Sequence, residues 1–318
     1  MTIKKVAELL RLNDDFLLST HVNPDGDGIG SIVGLVGILK KLGKRYKVIL
    51  QDAVPKKLSF LEYTDEFEVF PGSEPNHKFP DAIIVDSPSF ERIGSVAGLL
   101  SESAEVINID HHISNKNFAQ HNMVYPDLSS SAQVVVLLYK ELGIEPDTAS
   151  ANGLYAGICT DTGHFRFSNT TFEVLDDSAW CVKAGADPEL IATKLYFEIN
   201  VGTTQALSQM LNSIEIHNGG RVATASLDNE FLKSKDGLEA DTDGLANYPL
   251  SIFGVNVAFF MKENVPGVWR VNLRSETDNI NVNDIATGFG GGGHPRASGA
   301  TIEGSLNEVK KKLIDSVS

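Results

Sequence analysis

The 318-residue sequence is poor in cysteine and in basic residues. It has only Cys159 and Cys181, without C-x-x-C spacing, which excludes a disulfide framework and a structural zinc site built from cysteines. We expect two buried free thiols in a reducing cytoplasm.

The chain is acidic: 27 Lys and Arg residues stand against 42 Asp and Glu residues, giving a formal charge of −15. This balance argues against a DNA-coating protein, but it allows a short nucleotide bound at a metal site, where the cations supply positive charge.

Long apolar runs are also absent. No run approaches the roughly 20 residues that cross a bilayer. The N-terminus runs from Met-Thr-Ile-Lys-Lys into an amphipathic segment (Val6, Leu9, Leu10) without the core of a signal peptide. We therefore expect a cytoplasmic protein with no membrane partner.

The first half of the chain alternates short apolar runs with helical patterns. This alternation is typical of buried parallel strands in an α/β sheet. The predicted strands are Phe16–Thr20, Tyr46–Leu50, Ala82–Val85 and Val106–Ile109; the predicted helices are Ile29–Leu42, Ser129–Leu142, Asp147–Cys159 and Phe172–Ala184.

The pattern changes after Asp187. Two predicted helices, Pro188–Ile199 and Thr203–Ile216, connect to a second region that starts near Gly219. Its predicted elements are the strands Val222–Leu227, Val255–Met261, Val268–Arg274 and Ala297–Ile302, a short helix at Val282–Ala286 and a closing helix through Leu313. The length fits two domains: we predict an α/β parallel-sheet domain at 1–187, a helical linker at 188–218 and a smaller α/β domain at 219–318.

Acidic and imidazole side chains follow three of the predicted strands. The first strand runs into His21, Asp25 and Asp27, the strand ending at Val85 runs into Asp86, and the next runs into Asp110-His111-His112. Because carboxyl ends of parallel strands share one edge of a sheet, these side chains are predicted to converge there.

Crowded carboxylates repel one another unless a cation lies between them. Mixed His and Asp ligands without thiolate suit Mn, Mg, Fe or Zn. The candidates outnumber the ligands of one ion, which indicates a two-metal centre of the kind that activates water for displacement at phosphorus.

Taken one at a time, these motifs have other interpretations. The Asn-Pro-Asp-Gly-Asp-Gly segment is equally typical of a tight turn, and Asp86 alone is typical of a cap or loop. An EF-hand loop from Asp25 fails because Ile29 and Val36 occupy ligand positions, and a dinucleotide-binding G-x-G-x-x-G fails at Ser31.

Asp161 follows an apolar helical stretch, Leu154–Ile158. It is either a turn residue at the end of a helix or a metal ligand supplied from outside the sheet, and we favour the ligand. Arg166 is a candidate phosphate contact five residues later.

A glycine-rich stretch, Gly290–Gly293, lies in the second region. A flexible linker is disfavoured because strand and helix patterns resume directly after it. Glycine amides can form an anion-binding nest, and His294 and Arg274 can add charge-assisted bonds to phosphate. The predicted substrate contacts are Gly291, Gly292, Gly293, His294, Ser298, Arg274 and Arg166.

Most other aromatic residues fit packing roles. Trp180 and Trp269 are predicted to pack, and Phe253, Phe259 and Phe260 are predicted to lie mostly in the core, although one aromatic could stack on a base. Ordinary surface or turn positions are predicted for His77, His121, His164 and His217.

Taken together, the motifs resemble those of the DHH phosphoesterase superfamily. The matching residues are His21-x-Asn-Pro-Asp25-x-Asp27-x-x-Gly-Ser, Asp86, Asp110-His111-His112 and Asp161, and Gly-Gly-Gly-His294-x-x-Ala-Ser-Gly is similar to the DHH-associated domain. Length and domain content resemble the NrnA-type subfamily, oligoribonucleases that degrade very short RNA and dephosphorylate 3′-phosphoadenosine 5′-phosphate (pAp).

The resemblance implies roles for individual residues. His21, Asp25 and Asp86 would hold one manganese ion, and Asp27, Asp86, His111 and Asp161 the other, with Asp86 bridging; Mg²⁺ or another divalent ion could replace manganese. His112 and Asp86 are the implied catalytic residues, with His112 facing the scissile phosphate and a water between the metals attacking it. Arg274, His294 and the glycine loop would bind substrate phosphate in a cleft between the domains, and a homodimer is expected.

Two residues depart from the family pattern. Gln133 stands where relatives often have Glu, which affects a supporting interaction, and His164 stands where a smaller residue is expected. The same motifs also fit a phosphodiesterase for cyclic di-AMP or pApA, and a nucleotide sensor is the non-enzyme alternative. An inorganic pyrophosphatase is disfavoured because its Ser-Arg-Lys-Lys cluster is absent, and a long-strand exonuclease because its additional domains have no room here.

Overall fold

The computed structural model describes residues 2–70, 78–242, 244–277 and 279–317. His77 therefore lies outside the described residues. The chain divides into two compact units, Met1–Phe197 and Glu198–Ser318. The division falls within the range that was predicted as a linker. None of the helices in the described ranges is both long enough and apolar enough to span a bilayer.

The first unit is built on a parallel sheet. Within the described residues its strands are β1 (Phe16–Ser19), β2 (Tyr46–Leu50), β3 (Glu68–Val69), β4 (Phe79–Val85), β5 (Leu100–Asp110) and β6 (His121–Val124). They lie in the order β3-β2-β1-β4-β5-β6, and every pair is parallel. The prediction of a parallel α/β sheet is confirmed.

Helices pack on this sheet and on one another. They are α1 (Ile3–Leu12), α2 (Gly26–Leu42), α3 (Ser131–Leu142), α4 (Thr148–Asp161), α5 (Phe172–Lys183) and α6 (Pro188–Ala192). Alternate strand residues face opposite sides: Phe16 and Leu18 join the core beneath the helices, whereas Leu17 packs on the other side with the 3₁₀ segment Phe90–Leu99. Burial on both faces explains why the strands appear in the sequence as continuous apolar runs.

The helices begin and end at residues that satisfy their terminal backbone groups. Asp25 caps α2 by accepting hydrogen bonds from the N–H groups of Asp27 and Gly28, and α2 ends at Gly43, whose φ is 68°. Ser130 caps α3, which ends at Gly143 with φ 67°. Polar caps and left-handed glycines are the expected boundaries of helices.

The second unit holds a mixed sheet. Its strands are β7 (Glu215–His217), β8 (Val222–Leu227), β9 (Val257–Val265), β10 (Val268–Ser275), β11 (Gly292–His294) and β12 (Ala297–Glu303), ordered β11-β12-β10-β9-β8-β7 within the described residues. Its helices are α7 (Val201–Asn212), α8 (Asn229–Lys233), α9 (Lys235–Glu239), α10 (Asn247–Leu250), α11 (Val282–Gly288) and α12 (Leu306–Asp315).

Three sequence predictions are wrong in this region. The helix predicted at Pro188–Ile199 ends at Ala192 and gives way to a π-helical turn at Thr193–Phe197. The helix predicted at Thr203–Ile216 ends at Asn212, because Glu215–His217 pair with β8 instead. Phe253, predicted to be mostly core, has a relative exposure of 103%.

Candidate metal centre

The carboxyl ends of three adjacent strands deliver the candidate ligands. Strand β4 pairs with β1 on one side and with β5 on the other. His21 comes two residues after β1, Asp86 directly follows β4, and His111 directly follows β5. The parallel order of the strands therefore places these side chains at one edge of the sheet, as predicted.

One group of ligand atoms forms around His21. Its Nε2 lies 3.7 Å from Oδ2 of Asp25 and 3.4 Å from Oδ2 of Asp86. Its Nδ1 lies 2.8 Å from the carbonyl oxygen of Val22. In this geometry Nδ1–H donates to the carbonyl, which leaves Nε2 directed at the carboxylates, the arrangement usual for a metal-binding histidine.

A second group forms around His111. Its Nε2 lies 3.1 Å from Oδ2 of Asp161, 3.7 Å from Oδ2 of Asp27 and 3.7 Å from Oδ1 of Asp86. Asp86 thus presents Oδ2 to His21 and Oδ1 to His111. Three sets of ligand atoms lie within 4.8 Å of one another: His21, Asp25 and Asp86; Asp27, His111 and Asp161; and Asp86, His111 and His112.

Asp27 belongs to α2, and its carboxylate faces the N-terminus of α3. Its Oδ2 accepts from the Ser131 N–H at 2.6 Å and its Oδ1 from the Ala132 N–H at 2.8 Å. The free N–H groups at a helix start stabilise an anion. The Ser131 hydroxyl also donates to Oδ1 of Asp86 at 3.1 Å, so the start of α3 holds two candidate ligands.

Asp86 has a left-handed backbone, with φ 52°. This conformation is uncommon outside glycine and is tolerated best by Asn and Asp. Its N–H donates to the carbonyl of Ile109 at 2.9 Å, which ties the turn to β5. The backbone of this turn therefore aims the carboxylate between the two histidines.

The electrostatics of the site call for a cation. Burial raises the pKa of Asp27 well above its usual range, and the charges of Asp86 and Asp161 add to the effect. Burial also raises the pKa of Asp161. Burial works against the charged forms of His21 and His111, yet the surrounding carboxylates raise the pKa of each to about 10. A divalent cation bound by these oxygen and nitrogen atoms would remove the repulsion, so the residues present fit a metal site.

His112 belongs to a separate hydrogen-bond chain. Its Nδ1 lies 2.7 Å from Oδ1 of Asp110 and 3.6 Å from Oδ1 of Asp86. The other oxygen of the fully buried Asp110 accepts from Nδ2 of Asn115 at 2.5 Å. Burial opposes the charged form of His112, but the Asp110 hydrogen bond raises the pKa of its imidazole. Asp110 therefore fixes the ring and leaves Nε2 for another partner.

Close contact between α2 and α4 brings Asp27 and Asp161 into one site. A Cβ atom added at Gly30 would overlap the carbonyl oxygen of Gly153 and come within 2.9 Å of the backbone nitrogen of Gly157. A Cβ atom at Gly157 would come within 2.6 Å of the Ala132 side chain. These glycines allow a helix-to-helix approach that larger residues would prevent.

Of the residues that support the ligands, only Gln133 was expected from the sequence to make a supporting contact, and its partner was not identified. Ser131 and Ala132 form the start of α3, and Gln133 bonds to Asp177 on α5. The signal was present, since a Ser followed three residues later by Gln, as in Ser130-Ser-Ala-Gln133, is a typical helix start. The direction in which its amide groups point could not be obtained from the pattern.

In the second unit, Arg274 and His294 share a register position. Both residues lie opposite Ala297, Arg274 on β10 and His294 on β11. Directly opposed residues of antiparallel strands project to the same face. The side chains of Arg274 and His294 therefore lie on one face of this sheet, with strand β12 between them.

The glycine stretch differs from the nest predicted from the sequence. The N–H groups of Gly290, Gly291 and Gly293 donate to the Thr287 carbonyl, the Ala286 carbonyl and Oδ1 of Asn283, respectively. These amides are used within the protein, so they do not form a free anion nest. Ser298 is buried and its hydroxyl donates to the His294 carbonyl at 2.8 Å, which makes it part of the hairpin.

Arg166 and His164 follow Asp161 in a strained turn. Gly163, His164 and Phe165 have φ values of 56°, 62° and 58°. His164 is not an isolated surface residue: its Nδ1 lies 3.3 Å from Sγ of Cys159, and its ring packs edge-on against Tyr196 with centroids 4.7 Å apart. The exposed Arg166 donates from Nε to the Gly163 carbonyl at 2.7 Å.

Comparison with known proteins agrees with this architecture. Residues 15–158 match the DHH family, N-terminal domain, and residues 219–318 match the DHHA1 domain. The chain is 33% identical to the bifunctional oligoribonuclease and PAP phosphatase NrnA of Thermus thermophilus, over 99% of this chain and 93% of that protein. It is 27% identical to the cyclic-di-AMP phosphodiesterase PdeA of Listeria monocytogenes, over 98% of this chain but only 48% of that protein.

The fold has a solved counterpart. The crystal structure of an exopolyphosphatase-related protein from Bacteroides fragilis superimposes with a TM-score of 0.91. The two chains are 25% identical, and the match covers 99% of this chain and 95% of the other.

Proposed function

This chain belongs to the DHH family of phosphoesterases, and on that premise we propose that it hydrolyses very short RNA to nucleoside 5′-monophosphates and dephosphorylates pAp to AMP. The observation that carries the proposal is Asp86, whose two oxygens face His21 and His111 at 3.4 and 3.7 Å. The activities for which the Thermus thermophilus relative is named support the choice of substrates, because the match spans nearly the whole length of both chains.

Two Mn²⁺ ions are the proposed cofactors. His21, Asp25 and Asp86 would hold one ion, and Asp27, Asp86, His111 and Asp161 would hold the other. Bound in this way, the ions would supply charge stabilisation at the phosphate and an activated water. The donor set of imidazoles and carboxylates also suits Mg²⁺.

The remaining polar residues are proposed to act on the substrate. His112, whose Nδ1 is occupied by Asp110, would direct Nε2 to the scissile phosphate. Arg274 and His294 would bind a substrate phosphate from one face of the second sheet. Arg166 is a further proposed phosphate contact. Among glycines 291–293, Gly292 is the one proposed to lie against the substrate, because a Cβ atom at Gly291 or Gly293 would meet the protein's own backbone.

Product analysis with Mn²⁺ tests this proposal. A labelled RNA dinucleotide, pAp and cyclic di-AMP are compared, with Asp86→Asn as the inactive control because Asn tolerates the left-handed backbone there. Mononucleotides from the dinucleotide and AMP from pAp, both abolished by Asp86→Asn, are the expected results.

Cleavage of cyclic di-AMP alone would move the assignment to a cyclic-di-AMP phosphodiesterase, the activity for which the Listeria monocytogenes relative is named. Tight Mn²⁺ binding without hydrolysis of any substrate would favour a nucleotide sensor. Cytoplasmic location and a homodimer stay predictions, which fractionation and light scattering would test.

A further inference from the structure

Gln133 and Asp177 form a buried hydrogen-bonded pair outside the ligand set. Nε2 of Gln133 donates to Oδ2 of Asp177 at 2.9 Å. The other oxygen of Asp177 lies 2.5 Å from Nζ of Lys140. Gln133 is 1% exposed and Asp177 4%, so water does not screen this contact.

The orientation of the Gln133 amide is determined by its neighbours. Its Oε1 accepts from the N–H of Ser129 at 2.9 Å and from the Ser129 hydroxyl at 3.0 Å. Reversing the amide would direct two donors at the Ser129 N–H and an oxygen at a carboxylate. A side chain at position 133 must therefore accept on one side and donate on the other.

This pair is linked to the candidate ligands through the start of α3. Gln133 holds Ser129, Ser130 caps the helix, and the next residue, Ser131, donates to both Asp27 and Asp86. Asp177 is part of α5, which packs beside α3. The hydrogen bond between positions 133 and 177 thus anchors the start of α3 to a neighbouring helix.

We infer that Gln133 and Asp177 are positioning residues, which hold the N-terminus of α3 in the place where it directs Asp27 and Asp86 toward the metals. The inference rests on the proposed metal site but adds two residues that touch neither metal nor substrate. It requires a donor facing an acceptor at this contact, and not a particular amino acid on either helix.

A charge exchange across the contact tests this requirement. In Gln133→Glu two carboxyl groups would lie 2.9 Å apart in a buried site, where they repel once both are ionised. The variants are therefore compared at the most alkaline pH at which the natural chain stays folded, because at lower pH a shared proton could replace the amide donor. The double variant Gln133→Glu/Asp177→Asn restores a donor and an acceptor in reversed order. It keeps the net charge of the natural chain, and the new Asn can still accept from Lys140.

The readout is Mn²⁺ affinity, measured by calorimetry well below the unfolding midpoint of each variant. Gln133→Glu is expected to weaken binding by about tenfold or more, as changes behind metal ligands typically do, and the double variant to recover to within about threefold. Gln209→Glu, an exposed position on α7, adds the same charge elsewhere and is expected to bind as the natural chain does.

Unchanged affinity in Gln133→Glu at the alkaline pH would overturn the inference. So would a folded double variant that binds Mn²⁺ as weakly as Gln133→Glu. If Gln133→Glu does not fold, a soluble double variant with natural affinity supports the inference and one with poor affinity overturns it. Failure to cleave RNA or pAp would remove the proposed substrates but leave this comparison of metal binding intact.

Discussion

The Oδ2 atom of Asp27 accepts a 2.6 Å hydrogen bond from the backbone N–H of Ser131, a residue 104 positions later in the chain. The Ser131 hydroxyl reaches Asp86 as well. Ser131→Ala removes the hydroxyl bond but keeps the backbone bond. We expect Mn²⁺ affinity to fall about tenfold while the unfolding midpoint changes little. Calorimetry measures the first and thermal unfolding the second, with Ser208→Ala on the exposed face of α7 as the control. Equal affinities for the two variants would contradict the prediction.

The pairing of Asp110 with His112 predicts a catalytic defect without loss of metal. In Asp110→Asn the single amide oxygen must serve both His112 and Asn115, so the imidazole loses its fixed orientation. We expect kcat to fall by about 10- to 100-fold, with similar Mn²⁺ affinity. Steady-state kinetics on pAp gives kcat and KM separately. A rise in KM alone would show that His112 acts in binding.

Removal of metal is expected to destabilise the first unit. Without a cation, Asp27, Asp86 and Asp161 repel one another in a site that water reaches poorly. Free Mn²⁺ at 100 times its Kd should increase the free energy of unfolding by about 2.7 kcal/mol, because it binds the folded chain. Denaturant titrations with Mn²⁺ and with a chelator measure the difference. This Mn²⁺-dependent gain in unfolding free energy should vanish in Asp86→Asn. If the gain persists in that variant, the metal binds elsewhere.

The close approach of α2 and α4 predicts a stability defect at Gly30. In Gly30→Ala the new methyl group meets backbone atoms of Gly153 and Gly157, which cannot rotate away. The expected loss is about 1–3 kcal/mol of unfolding free energy. Gly288→Ala is the matched control, because nothing lies within 4 Å of a Cβ atom there. Similar midpoints for both variants in urea would mean that α2 can shift at no cost.

The shared register of Arg274 and His294 predicts a defect in substrate binding. His294→Ala removes one of the two side chains opposite Ala297. We expect KM for pAp to rise at least about tenfold, since charge-assisted bonds to phosphate are among the stronger ones. Mn²⁺ affinity should not change, because the candidate ligands belong to the first unit. Kinetics and calorimetry on one preparation test both statements, and weaker Mn²⁺ binding would contradict the second.

Strong local signals explain which parts of the fold could be predicted. Tyr46–Leu50 and Val222–Leu227 have the predicted bounds, because each is a short, mostly apolar stretch with polar or glycine residues on both sides. His121–Val124 was missed because two of its four side chains are polar, and its place in the sheet depends on pairing with β5. The short helices between Asn229 and Leu250 contain too few turns for a recognisable period.

The candidate ligands could be predicted because each stands at the end of a strand or helix with a clear pattern. The supporting contacts could not. Whether Ser131 donates to Asp27 depends on how α3 lies against α2, which is a tertiary relationship. Phe253 shows the converse, since an apolar residue in a short loop carries no local sign that it will be exposed.

The buried state of the two cysteines has a practical consequence for purification. Burial raises the pKa of Cys159 to about 11 and that of Cys181 to about 12. Because the thiolate is the reactive form, both should resist alkylation and air oxidation in the folded chain. The protein can then be handled without dithiothreitol, a chelating reductant that would compete with Asp86 and its neighbours for manganese.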